Sequence, residues 1–179
     1  VGEPPTADEL TQLFGSPVDW PDTADNSLLV FNEPAARALG VPGGGAVSNA
    51  ADIALFYQAL LHNPQRTWRN EILRDATGTV RVDFPDPVTG VPANRGLGVV
   101  IAGSGPHASR RGMGESVSPS AFGHQGVGGQ LAWGDPQSGL SFCLLTNGLD
   151  ANPIRSARFC AGVNNRAGAC AAATPGDGQ

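Results

Sequence analysis

The chain has 179 residues, 40% of them hydrophobic and 15% charged, which suits one domain with a sizeable core. Its net charge of −5 disfavours nucleic acid and acidic membranes as partners. No apolar run approaches the length of a membrane-spanning helix, and all eleven cations are arginine, with no lysine anywhere.

Residues 1–27 read as an irregular lead-in segment, rich in Pro and Asp. An apolar patch at Leu10, Leu13 and Phe14 suffices for one helical turn. The first residues, VGEPPTADEL, have no basic n-region and no apolar h-region, so they do not read as a signal peptide. Residues 28–96 form a helical part. Its first helix is short, within residues 28–42, opening at Asn32 with Pro34 in the first turn. The strongest helix spans residues 50–62. Asn49 caps it and Asp52 takes the third position, as in a capping box. Ile53, Phe56, Tyr57, Leu60 and Leu61 recur at helical spacing and predict one buried stripe. Asn63 and Pro64 stop it, and a weaker helix covers about residues 69–76.

Residues 97–165 switch to an antiparallel sheet with a C-terminal helix. Leu97–Ala102 is an apolar run of strand length. A Gly/Ser-rich loop follows at residues 103–120, containing Arg110 and Arg111. Three strands come next: Phe122–Gly126; Gln130–Gly134, with Leu131 and Trp133 on one face; and Leu140–Thr146, apolar almost throughout and so expected at the sheet's centre. Asp135–Gly139 makes the hairpin loop between the last two. Asn152 caps a last helix, with Pro153 at its first position and Gly162 at its end; residues 166–179 form a tail. Helices, then a meander, then a helix give an α+β class rather than alternating βαβ. Cys143, in an apolar run, is expected to pack as a small hydrophobe. Cys160 and Cys170 either pair or stay thiols, which leaves the redox compartment open.

The segment richest in chemistry is Phe122-Gly123-His124-Gln125-Gly126-Val127-Gly128-Gly129-Gln130. Four glycines in seven residues beside a strand allow close approach to the backbone. A histidine among them adds a donor or acceptor near neutral pH, and strand N–H groups there can face a developing oxyanion. Spacing alone fits a glycine-rich hairpin with an incidental histidine equally well. No Gly-x-Ser-x-Gly elbow is present. A triad of Ser118 or Ser120 with His124 and Asp135 can be drawn, but only strand alternation supports it. His62 suits the C-terminal end of a helix dipole, His107 a solvated loop, and Ser48 a helix cap. No cluster has metal-ligand spacing, and nothing points to a cofactor.

The pattern Phe-Gly-His-x-Gly-x-Gly-Gly at residues 122–129, a strand, Asp135-Pro136, a second apolar strand and Thr146-Asn147-Gly148 resembles the C-terminal sheet of the serine β-lactamase-like family. That family takes in class C β-lactamases, D-alanyl-D-alanine carboxypeptidases and family VIII carboxylesterases. Upstream, Asn32-Glu33-Pro34 and then VPGGGAVSNAADIALFYQALLHN resemble its helical region. Together the two segments cover residues 28–150.

The resemblance implies a site of three elements: a Ser-x-x-Lys nucleophile, a Tyr-x-Asn, and a Lys-Thr-Gly or His-x-Gly strand. Only the third is matched, by His124-Gln125-Gly126. It implies catalytic roles for His124 and for the Val127 N–H at the oxyanion, with Gln125, Gly126 and Gly128 against substrate. Histidine in place of lysine resembles the esterase-like branch and implies loss of a full positive charge for holding a carboxylate. A chain without lysine holds no Ser-x-x-Lys, and Tyr57, followed by Gln58-Ala59, reads as a core residue. The expectation is the C-terminal half of a hydrolase that acts on small esters or amides through an acyl-enzyme. Alone it would be inactive, its partner being the N-terminal half of the same fold. The alternative is a non-catalytic binding or scaffolding module on that fold.

Overall fold

A computed structural model describes residues 3–15, 17, 26–86 and 90–171, and its first helix begins at a cap the composition hides. Thr6 opens α1 (Ala7–Phe14): its hydroxyl accepts the Glu9 N–H at 3.2 Å, and the Glu9 carboxylate accepts the Thr6 N–H at 2.9 Å. Gly15, at φ 74°, ends it in the left-handed conformation. Within the lead-in segment Ala7–Phe14 is therefore a regular helix of two turns rather than one, and Leu10 is buried. The side chains of Leu13 and Phe14 lie outside the described part, as do residues 16 and 18–25.

A 3-10 segment, Asn26–Asn32, precedes α2 (Pro34–Leu39), so that helix opens at Pro34 rather than Asn32. The main helix, α3 (Ala50–His62), matches its expected bounds. Asn49 accepts the Asp52 N–H at 3.0 Å, and Asn63 closes the helix at φ 46°. Ser48 is not the cap; its hydroxyl leans on the Asn49 carbonyl at 3.4 Å. The buried stripe holds for Tyr57, Ile53, Leu60 and Leu61. Phe56 departs from it, 52% exposed and meeting Trp68 edge-on at 6.4 Å. α4 (Asn70–Gly78) follows.

Four strands pair antiparallel in chain order: β1 (Val100–Ile101), β2 (Phe122–Gln125), β3 (Leu131–Asp135) and β4 (Leu140–Leu144). β1 is shorter than its apolar run because Gly98, at φ 78°, turns the chain, and the Leu97 N–H goes to the Ala76 carbonyl at 3.0 Å. The loop before β2 contains a short helix, α5 (Pro106–Arg110). β4 is an edge strand of the described sheet, not a central one.

The sheet is covered on both faces. On one, Phe122, Ile101 and Ala132 meet Tyr57, with Leu60, Leu61 and Cys143 around them. On the other, Trp133, Leu131 and Val100 meet Met113 and Ala108, with Phe142, Leu144, Cys160 and Ala167 packed against them. Gly123 stands opposite Trp133 because a Cβ there would lie 2.2 Å from the Ala132 carbonyl oxygen and 2.6 Å from Trp133 Cβ. α6 (Pro153–Ala169) starts at Asn152, as expected, but runs through Gly162 and takes in residues 166–169 of the expected tail. Its Asn164 is buried; the side chain accepts the Trp133 indole N–H at 2.9 Å and donates to the Gly112 carbonyl at 2.6 Å. Residues 172–179 lie outside the described part.

All three cysteines are thiols. Cys160 sits within α6 and Cys170 caps its end, so a rigid helix holds the two sulfurs apart. Among the described residues no helix is long and apolar enough to cross a membrane. Helices with one antiparallel meander make the fold α+β.

Burial, with Cys143 adding to it, pushes the Tyr57 phenol up to about 12 from its ordinary 10.0. As this is the chain's one tyrosine, phenolate absorbance reports it alone. Its ionisation is expected near 12, with stability full below pH 10 and lost as the pH rises towards the folded value. Ionisation at an ordinary phenol's pH in the folded chain would place Tyr57 outside the core.

Candidate active site

The β2 register sets His124 opposite Ala132 and Gln125 opposite Leu131. Beyond Gln125 the chain turns through Gly126–Gly129, closed by the Gly126 N–H on the Gln130 carbonyl at 2.7 Å. Gly128 and Gly129 sit at φ 84° and 86°, where a side chain would be strained. The turn is braced from β4: Gln130 Nε2 donates to the Thr146 carbonyl at 2.9 Å, and the Thr146 N–H returns to Gln130 Oε1 at 2.8 Å. The Thr146 hydroxyl reaches the Gly128 carbonyl at 2.8 Å. Val127 is 67% exposed, and its N–H has no hydrogen-bond partner among the described residues.

His124 is exposed. Its Nε2 lies 3.3 Å from Arg95 Nη1, and its Nδ1 lies 2.5 Å from the Gln125 carbonyl oxygen. A guanidinium only donates, so Nε2 is the acceptor and Nδ1 carries the proton. Arg95, 29 positions earlier in the chain, thus sets a guanidinium against the imidazole.

His124 and Gln125 line a cavity of about 230 Å³, with Arg95, Asp86, Arg110 and Arg111 among the other walls. Arg95 faces Asp86 at 3.7 Å. Arg111 is held by carbonyls: Nε and Nη2 reach Pro92 at 2.9 and 2.6 Å, and Nη1 reaches Ala102 at 2.6 Å. Burial lowers its pKa from the ordinary arginine value. Gly126, Val127 and Gly128 lie in the turn beyond and do not line this cavity. The sequence reading missed Arg95 because no local pattern connects it to His124.

The paper triad does not assemble. Ser118 and Asp135 are buried and bound to each other, the Ser118 N–H reaching the carboxylate at 2.9 Å and its hydroxyl also donating to it. Among the described residues, the Ser120 hydroxyl meets the Ser118 hydroxyl, at 2.9 Å, and not His124. His124 touches none of them, being engaged by Arg95 and Gln125. His62 lies in the last turn of α3 and His107 on α5, both exposed.

Known proteins resemble the chain in sequence and fold. The chain is 31% identical over 113 residues to the esterase/β-lactamase LipL of Mycobacterium tuberculosis, a match covering 61% of the chain and 24% of that protein. The crystal structure of a β-lactamase from Mycobacterium bovis superposes with a TM-score of 0.58 at 25% identity, covering 89% of the chain and 58% of that structure. The chain thus spans about a quarter of the length of the first relative and somewhat over half of the second. The β-lactamase family model matches residues 3–161. With nearly the whole described fold inside that match, the chain belongs to the β-lactamase family.

Proposed function

We propose that this chain is the C-terminal part of an esterase-like serine hydrolase that cleaves small esters or amides through an acyl-enzyme. The observation that carries the reading is the Val127 N–H: exposed, without a partner among the described residues, and fixed at the end of the His124-Gln125-Gly126 strand by the Gln130–Thr146 brace. A preorganised donor of this kind stabilises a tetrahedral oxyanion because no reorganisation is needed when charge develops. Gln125, Gly126 and Gly128 shape the wall along which the substrate lies. The His124 ring keeps the Arg95 guanidinium at that wall.

The nucleophile is borrowed. With no lysine in the chain and its one tyrosine buried under the sheet, neither Ser-x-x-Lys nor Tyr-x-Asn is supplied from these residues. In this reading they come from a segment that seats beside β4, whose outer edge is unpaired among the described strands.

The test compares the chain alone with the chain joined to its preceding coding sequence. p-Nitrophenyl acetate hydrolysis and covalent labelling by a serine-directed phosphonate are expected only in the longer protein. There, Val127→Pro removes the N–H and is expected to lower kcat by about 10²–10³-fold. Labelling of this chain alone would overturn the borrowed nucleophile. A longer protein without labelling or turnover would favour a non-catalytic module.

A further inference from the structure

The β3–β4 ladder ends on the pair Leu131 and Leu144, and its register would bring Gly129 against Thr146 two steps further on. The backbone makes no such rung, because Gly129 turns away at φ 86°. The Gln130 side chain stands in for it. Its amide carries the same groups as a peptide, an acceptor and a donor, and meets both backbone groups of Thr146. Oε1 accepts the Thr146 N–H at 2.8 Å, and Nε2 donates to the Thr146 carbonyl at 2.9 Å. The second Nε2 proton goes to the Thr146 hydroxyl at 2.9 Å. That hydroxyl in turn donates to the Gly128 carbonyl at 2.8 Å, in preference to the Gly148 carbonyl at 3.3 Å. Gln130 and Thr146 are both half-buried, which partly shields these bonds from water.

Val127 lies between the two points at which the turn is tied down. Gly126 is held by its N–H on the Gln130 carbonyl, and Gly128 by its carbonyl on the Thr146 hydroxyl. Glycine has the most backbone freedom to lose, so a donor set among Gly126, Gly128 and Gly129 swings unless side chains hold it. An oxyanion donor contributes fully only when it is aimed before charge develops. From this we infer that Gln130 and Thr146 are positioning residues for the Val127 N–H. The hydrogen bonds that run from the Gln130 amide through the Thr146 hydroxyl to the Gly128 carbonyl set its direction without touching substrate. Bonds in such a chain polarise one another, so losing the middle hydroxyl loosens both ends. The catalytic meaning rests on the hydrolase reading above; the ordering of the turn rests on the hydrogen bonds alone.

In the full chain, amide nitrogen relaxation gives the order parameter at Val127. It is expected at about 0.85 in the wild type and below about 0.6 in Thr146→Val, which removes the hydroxyl and keeps the shape, with Trp133 on β3 unchanged. Gln130→Glu keeps the acceptor for the Thr146 N–H, loses both donors, and is expected to loosen Val127 in the same way; it decides the matter if Thr146→Val disturbs the fold. Thr146→Ser, which keeps the hydroxyl, is expected to recover the wild-type rigidity. In the longer protein, Thr146→Val and Gln130→Glu are each expected to lower kcat on p-nitrophenyl acetate by about 10–100-fold with KM unchanged. The melting temperature is expected to fall by only about 2–4 °C, so a merely structural role would leave kcat alone well below the melt. Val127 as rigid as wild type in both variants, or as loose in Thr146→Ser as in Thr146→Val, would overturn the brace. Loosening of Val127 without phosphonate labelling in the longer protein sinks the hydrolase reading only; labelling with kcat unchanged in both variants sinks the positioning role only.

Discussion

Replacing Trp133 with Ala is expected to destabilise the chain by about 3–5 kcal/mol, the cost of deleting a fully buried aromatic whose cavity cannot collapse. Trp133 is 1% exposed and central to its cluster, with Phe142 at 5.6 Å between ring centroids. Its indole N–H also satisfies Asn164 on α6, which in turn holds the Gly112 carbonyl. The substitution therefore leaves a void and strands a buried amide oxygen. For a domain whose total stability is about 5–15 kcal/mol, the melting temperature should fall by about 10–15 °C in a thermal scan followed by circular dichroism. A fall of less than about 3 °C would show that the two layers do not meet through this side chain.

The second large effect belongs to Asp135. Its carboxylate accepts the Ser118 N–H and the Gln137 N–H, each at 2.9 Å, and the Ser118 hydroxyl. Asn at this position offers one acceptor oxygen and turns an NH₂ towards donors, so a buried donor loses its partner. The expected cost of Asp135→Asn is about 2–3 kcal/mol at neutral pH. Burial pushes the Asp135 carboxyl up, but the donated hydrogen bonds outweigh it and hold the group below its ordinary 3.8. A folded value below the unfolded one means the ionised carboxylate stabilises the fold above the unfolded value, and that this stability is lost as the pH falls through the folded one. The melting-temperature gap between wild type and Asp135→Asn should accordingly narrow as the pH falls below about 4. A gap of constant size down to strongly acid pH would show that the carboxylate is not the acceptor in this network.

Helices announced themselves where caps and periodicity agreed. Asn49, Asp52 and the Ile53, Tyr57, Leu60, Leu61 stripe located α3 to the residue. Phe56 strayed because it sits about 100° around the helix from Tyr57, towards the rim of the sheet, where its ring meets Trp68 and the edge of Tyr57. The capping box of α1 was written as Thr6 and Glu9, yet Pro and Asp content drew attention away from it. β4 misled for a different reason. Its apolar run reports cover on both faces: Ser141 and Cys143 point to α3, while Phe142 and Leu144 point to the Trp133 side. Cover on two faces says nothing about neighbours on two edges.

Much the same division holds at the site. The glycine turn and His124 stand together in the chain and could be read as a unit. Arg95 and Arg111 come to the cavity through tertiary contacts, Arg95 to His124 and Arg111 to the Pro92 carbonyl, which no local pattern encodes. The guanidinium beside His124 comes from another segment of the chain.

The order of the strands has a consequence for how the chain finds its fold. Each strand pairs with the one made just before it, and β2, β3 and β4 zip through short loops, while residues 102–121 with α5 separate β1 from β2. Among the hydrogen bonds of the described residues, the longest-range closure is the docking of α3, where Gln58 waits 81 positions for the Gly139 carbonyl, and the Ala54 carbonyl waits 87 for the Ser141 hydroxyl. Local pairings form fast and distant ones set the pace, which makes helix docking the step that limits the folding rate. The entropy of that closure grows only with the logarithm of the connecting length, by about 0.6 kcal/mol per doubling. Added length in the connection from α3 to β1 therefore costs little in closure entropy, at a modest loss of speed.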